Sequence, residues 1–76
     1  MDKINEELGR VLASYRKQNH MRGQDVADIL GVTKTAIHYW ESGKRTIDAV
    51  TLIRYCEAIG VAPSVVINEV IKNACL

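Results

Sequence analysis

Apolar residues recur at three- and four-residue steps through most of the chain, and nowhere do they alternate in the manner of a strand. Leu8, Val11, Leu12 and Tyr15 mark an amphipathic first helix from about Asn5 to Gln18, and Ile4 extends its stripe. Val26, Ala27 and Leu30 mark a short second helix that begins at Gly23. Asp25 lies in its first turn, where a carboxylate complements the positive end of the helix dipole. Gly31 supplies the positive φ that a tight reversal asks for. Thr33 then offers its hydroxyl as the cap of a third helix, whose Ile37 and Trp40 point back onto the second. Ser42-Gly43 ends that helix, and Lys44 to Ile47 form a loop. Asp48 caps a fourth helix that carries Leu52, Tyr55, Cys56 and Ile59 and stops at Gly60. Pro63 suits the first turn of a fifth. There Val66, Ile67, Val70, Ile71 and Ala74 make a broad apolar stripe, with Val65 and Leu76 beside it. The pattern predicts an all-α domain of five helices, organised around Gly23 to Arg45.

Composition narrows this picture without redirecting it. A chain of 76 residues can build one core, and it is too short for a buried catalytic cleft with a second lobe. We therefore expect a single domain over 1–76. An apolar fraction of 47% with 25% charged residues is that of a folded protein, and no run approaches the roughly 18 apolar residues of a membrane span. The N-terminus MDKINEELGR is polar and acidic where a signal peptide starts basic and then apolar, so the expected location is the cytoplasm. Cys56 and Cys75 have no CxxC spacing, which points to reduced, packed thiols and away from zinc or redox chemistry. Ser, His and carboxylates show no nucleophile–base spacing, glycine-rich phosphate loop or metal cluster. No enzymatic activity, metal, cofactor or small-molecule ligand is expected.

Charge is more telling by position than by sum. The net formal charge is only +1, yet residues 1–45 hold eight Lys/Arg against six Asp/Glu, and residues 46–76 hold two against three. The basic excess falls in the half that contains the organising stretch. On the polar face of the third helix stand Lys34, Thr35, His38 and Tyr39, side chains able to donate to bases and phosphates. Thr33, Lys44 and Arg45 suit phosphate contacts, since loop cations and helix-start N–H groups position a protein on a duplex without reading its sequence. Trp40 is at an inward position and is expected in the core. His20 is expected to be a turn residue.

These residues resemble the lambda-repressor-like helix-turn-helix domains of the Cro and repressor type, also called XRE. Val26, Ala27, Leu30, Gly31, Val32, Ile37 and Trp40 fill the places of that family's helix-turn-helix core. Leu8-Gly9, the run Trp40 to Arg45 and Ile59-Gly60-Val61 match its flanking motifs, so the likeness spans roughly Leu8 to Ile67. The resemblance implies five helices with the third in the major groove of double-stranded DNA. It implies base contacts from Lys34, Thr35 and His38, phosphate contact from Tyr39, and a salt bridge between Arg16 and Glu41. Two departures concern the start of the second helix: Gly23 stands where the family places a phosphate-binding glutamine, and Arg22 where it places a capping serine. Arg22 and Gln24 are the remaining candidates for that phosphate. Ile47 replaces the loop proline usual in the family.

The fifth helix, within residues 63–76, offers more apolar surface than one small core needs. Val65, Val70, Ile71 and Ala74 are the expected homodimer interface, and DNA modules of this type commonly bind palindromes as two-fold dimers. In size the chain is similar to phage repressors and restriction-modification controller proteins. The expected function is a transcriptional regulator, a repressor at a palindromic operator. The alternative is a protein-interaction module of the same fold, an antitoxin or adaptor, using the apolar C-terminal helix.

Overall fold

The computed structural model describes residues 2–74. Five helices follow one another: α1 (Lys3–Gln18), α2 (Gly23–Leu30), α3 (Lys34–Ser42), α4 (Ala49–Ile59) and α5 (Pro63–Asn73). Helix α1 starts two residues before the position the apolar stripe suggests, because Asp2 caps it by accepting the Ile4 N–H at 2.9 Å. Thr33 and Asp48 cap α3 and α4 in the same way, accepting from the N–H groups of Ala36 and Thr51 at 3.1 and 2.7 Å.

Helices α1, α2 and α4 end alike. In each, the residue just after a left-handed one donates its N–H back to a carbonyl five positions earlier: Met21 to Arg16, Val32 to Ala27, Val61 to Cys56. The left-handed residue this closure needs is Gly31 and Gly60 in two cases and His20, at φ 58, in the third. His20 is thus a turn residue, as the sequence suggests.

The core joins Val11 and Leu12 of α1, Val26 and Ala27 of α2, Ile37 of α3, Tyr55, Cys56 and Ile59 of α4, and Val66 and Val70 of α5. Ile47, between α3 and α4, is buried with them, so its side chain anchors the loop from inside. Two expectations need correction. Val70 is 5% exposed and faces inward, so it supplies packing and no free surface for a partner. Trp40 packs against the core from its edge and is only half-buried. Cys56 is buried and reduced, while Cys75 and Leu76 lie outside the described residues.

Helix α1 is the strut on which α3 and α5 chiefly lean. At Gly9 a Cβ would lie 2.4 Å from the carbonyl oxygens of both Trp40 and Glu41, so α1 and α3 touch backbone to backbone only because this residue has no side chain. Asn5 secures the same joint by donating its amide to the Gly43 carbonyl at 2.9 Å. Helix α5 is tied to α1 by Tyr15 to Glu69 at 2.7 Å and Asn73 to Glu7 at 2.9 Å. Asn19 holds the end of α4 through the Ile59 carbonyl. Among the described residues, no single helix is long and apolar enough to cross a membrane.

Candidate nucleic-acid interface

With Ile37 turned into the core, α3 leaves Lys34, Thr35 and His38 exposed along one side. Their side chains make no hydrogen bond to the rest of the described chain. The cap residue Thr33 is exposed just ahead of them, its hydroxyl occupied by Ala36. At the other end of α3, Gly43 turns the chain at φ 81, and the Arg45 N–H donates to the Tyr39 carbonyl at 3.2 Å. This fold-back sets two cations on one ring: Lys44 Nζ lies 5.5 Å and the Arg45 guanidinium carbon 5.2 Å from the centre of Tyr39. His38 leans on the same ring at 6.1 Å. Lys44, Arg45, Tyr39 and His38 therefore form one cationic–aromatic group, which residue spacing alone does not disclose.

The orientation of α3 is held from behind by a polar cluster. Arg16 grips Glu41 with two parallel bonds, Nε to Oε2 at 2.8 Å and an Nη to Oε1 at 2.9 Å, and its other Nη donates to the Met21 carbonyl at 2.9 Å. Both side chains are largely sequestered, at 12% and 13% exposure. The Glu41 charge, on the flank of α3 beside Lys34 and His38, is therefore neutralised, largely shielded and spent on an internal tie. Tyr55, fully buried on α4, donates its hydroxyl to the same Oε2. Burial, followed by the bond to Glu41, pushes the Tyr55 phenol well above its ordinary pKa. The Arg16 guanidinium is raised as well, first by its bonds to Glu41. Tyr55 is the site residue that sequence reading misses. Its helical spacing marks it as core, and nothing in the spacing says where its hydroxyl points.

The start of α2 differs from expectation in its details. Arg22 makes no side-chain cap, since a guanidinium has no acceptor to offer. Asp25 caps in the reverse direction, taking the Arg22 backbone N–H at 2.8 Å and its guanidinium at 2.9 Å. These bonds hold the Asp25 carboxyl below its usual range. Gln24 donates to Asp28 at 2.8 Å. Both candidate phosphate ligands on this helix are thus engaged with carboxylates, and each would have to exchange one for a phosphate. Between them Gly23 opens a shallow cleft of about 140 Å³, bounded by Arg16, Lys34, Ile37, His38 and Glu41. A Cβ at Gly23 would meet only Ile37 Cγ2, at 3.7 Å.

Away from this face, Val65 and Ile71 of α5 are exposed and Ala74 is half-buried. Ile67, absent from the expected interface set, is 43% exposed one turn before Ile71. No group of three or more His, Cys, Asp or Glu side chains among the described residues could hold a metal ion.

Comparison with known proteins gives the arrangement a context. A helix-turn-helix family model matches residues 12–66. Two solved structures of the clp gene regulator ClgR from Corynebacterium glutamicum share the fold at TM-scores of 0.87 and 0.88 and 23% identity. Both cover 92% of this chain, and it covers 91% and 74% of theirs. The restriction-modification controller protein C.AhdI from Aeromonas hydrophila is similar at a TM-score of 0.76 and 18% identity, over 80% of this chain and 92% of its own. Curated protein sequences yield no match.

Proposed function

The chain belongs to the helix-turn-helix family, and on that premise we propose that it is a transcriptional regulator that binds double-stranded operator DNA sequence-specifically as a homodimer, most simply as a repressor in the cytoplasm. The observation that carries the reading is the free polar face of α3, beside the Tyr39, Lys44 and Arg45 group and braced from behind by Arg16 and Glu41.

A helix in the major groove reads base edges through donors and methyl contacts. Lys34 suits guanine O6 or N7, Thr35 a thymine methyl or an acceptor, and His38 an acceptor. Thr33, Tyr39, Lys44 and Arg45 are assigned to phosphates, with Arg22 and Gln24 joining them when they release Asp25 and Asp28. Val65, Ile67, Ile71 and Ala74 on α5 are assigned to the partner protomer, which gives the two recognition helices the two-fold spacing of a palindrome. ClgR is a gene regulator and C.AhdI a restriction-modification controller protein, which agrees with this role.

Selection of bound DNA from a random pool tests the reading. The expected product is a two-fold symmetric motif with half-sites about one helical turn apart. Lys34→Ala or His38→Ala relaxes preference at particular positions. Arg45→Ala weakens every sequence alike and lowers the salt slope by about one. Absence of any salt-sensitive DNA binding would overturn the proposal. A clean monomer in solution would favour the adaptor or antitoxin reading of the exposed α5 surface.

A further inference from the structure

Helix α3 rests chiefly on α1 and α2, and α4 rests on α2, α5 and α1. Among the described residues, the hydroxyl of Tyr55 makes the only hydrogen bond from α4 to α3. It is a fully buried tyrosine at a position where a purely apolar ring would fill the same space. Its hydroxyl ends on the Glu41 oxygen that also accepts Arg16 Nε, so this one oxygen takes donors from two helices. With Tyr55 removed, both remaining donors to Glu41 come from Arg16 on α1. The α3 backbone stays docked on Gly9 and Asn5, but nothing from α4 then fixes the Glu41 carboxylate, and the side of α3 facing α4 loses its only polar tie among the described residues.

We propose that Tyr55 is a positioning residue for the recognition helix: its hydroxyl fixes the Glu41 carboxylate against Arg16 from the α4 side, and so sets the angle at which Lys34, Thr35 and His38 are presented. The inference rests on the DNA-binding reading above. It adds α4 to the parts of the molecule that determine specificity, although α4 itself touches no base in that reading.

Tyr55→Phe keeps the ring and removes the hydroxyl. At a temperature where circular dichroism shows variant and wild type equally helical, two readouts decide the matter. Amide hydrogen exchange on the free protein is expected to rise in the last turn of α3 and at Gly43 more than in α1 or α5. A merely stabilising hydroxyl would raise exchange evenly across the domain. In DNA binding, the variant is expected to lose about five- to tenfold on the selected motif while its binding to random DNA stays the same. Even exchange together with unchanged discrimination overturns the proposal. If the wild-type protein selects no DNA, the DNA-binding reading fails by itself, and the exchange pattern still decides whether Tyr55 fixes α3.

Discussion

Two arginine–carboxylate pairs engage the helix-turn-helix, one at the end of α3 and one at the start of α2, and they share a chemistry without sharing a role. Arg16 and Glu41 are 25 residues apart in the chain, 12% and 13% exposed, and joined to a third helix by Tyr55. Arg22 and Asp25 are three residues apart, 81% and 34% exposed, and fix nothing beyond their own turn. A sequestered charge that loses its partner stays desolvated and unpaired. An exposed one is simply hydrated again, and the net worth of such a pair is small. The first pair is therefore a joint of the fold, whereas the second is a local clasp, the one that a phosphate would replace in the proposed DNA complex.

The largest expected effect tests the joint at its narrowest point. Gly9→Ala drives a methyl into two backbone carbonyls at 2.4 Å, which neither α1 nor α3 can avoid without separating. Loss of about 3 kcal/mol or more is expected, read as collapse of the thermal transition. A variant that melts like the wild type would show that the joint is looser than its geometry indicates.

Next comes Glu41→Ala, which strands Arg16 and the Tyr55 hydroxyl together. A cost of about 3 kcal/mol is expected in urea denaturation. The same substitution at Asp25, an exposed carboxylate that caps only its own turn, should lower the denaturation midpoint by much less.

A smaller effect appears only in alkali. The unfolded chain ionises Tyr55 near pH 10, while the folded protein holds the phenol neutral above that point. The resulting stabilisation is complete below about pH 10 and is lost as pH rises from there through the raised folded value. Tyr55→Phe has no proton to lose at this site, so its stability should decline less steeply over the same range in paired urea titrations. Equal slopes would mean that Tyr55 ionises freely. The least effect on stability is that of Asp25→Asn, which frees Arg22. Its thermal midpoint should fall only slightly, since asparagine can still accept the Arg22 N–H, and its affinity for DNA should rise with a steeper salt dependence.

Much of this was legible in the sequence because it is local. Capping hydroxyls and carboxylates, glycines at reversals and three- and four-residue periodicity each act within a turn or two, and they place the starts of all five helices within two residues of where they lie. Less legible was which flank of an apolar stripe turns inward, because that is decided by neighbours distant in the chain. Val70 and Ile71 are adjacent and equally apolar, yet one is core and the other surface. Ile47 reads as a loop residue and is buried for the same reason. Arg22 with Asp25 and Gln24 with Asp28 have helical spacings that can be read in advance as pairs, and weighing Arg22 and Gln24 only as phosphate ligands passed over them. The Tyr55 hydroxyl left no trace at all, since a tyrosine and a phenylalanine have the same periodicity.

The ring of Tyr39 has a further consequence. Long cationic side chains lose up to about 2 kcal/mol of rotamer entropy each when they are immobilised. With Lys44 and Arg45 already resting on Tyr39, part of that disorder is gone before any partner arrives. Tyr39→Ala should therefore leave the charge count and the encounter rate with DNA nearly unchanged while shortening the lifetime of the complex. In this small protein an aromatic ring serves to keep two cations still.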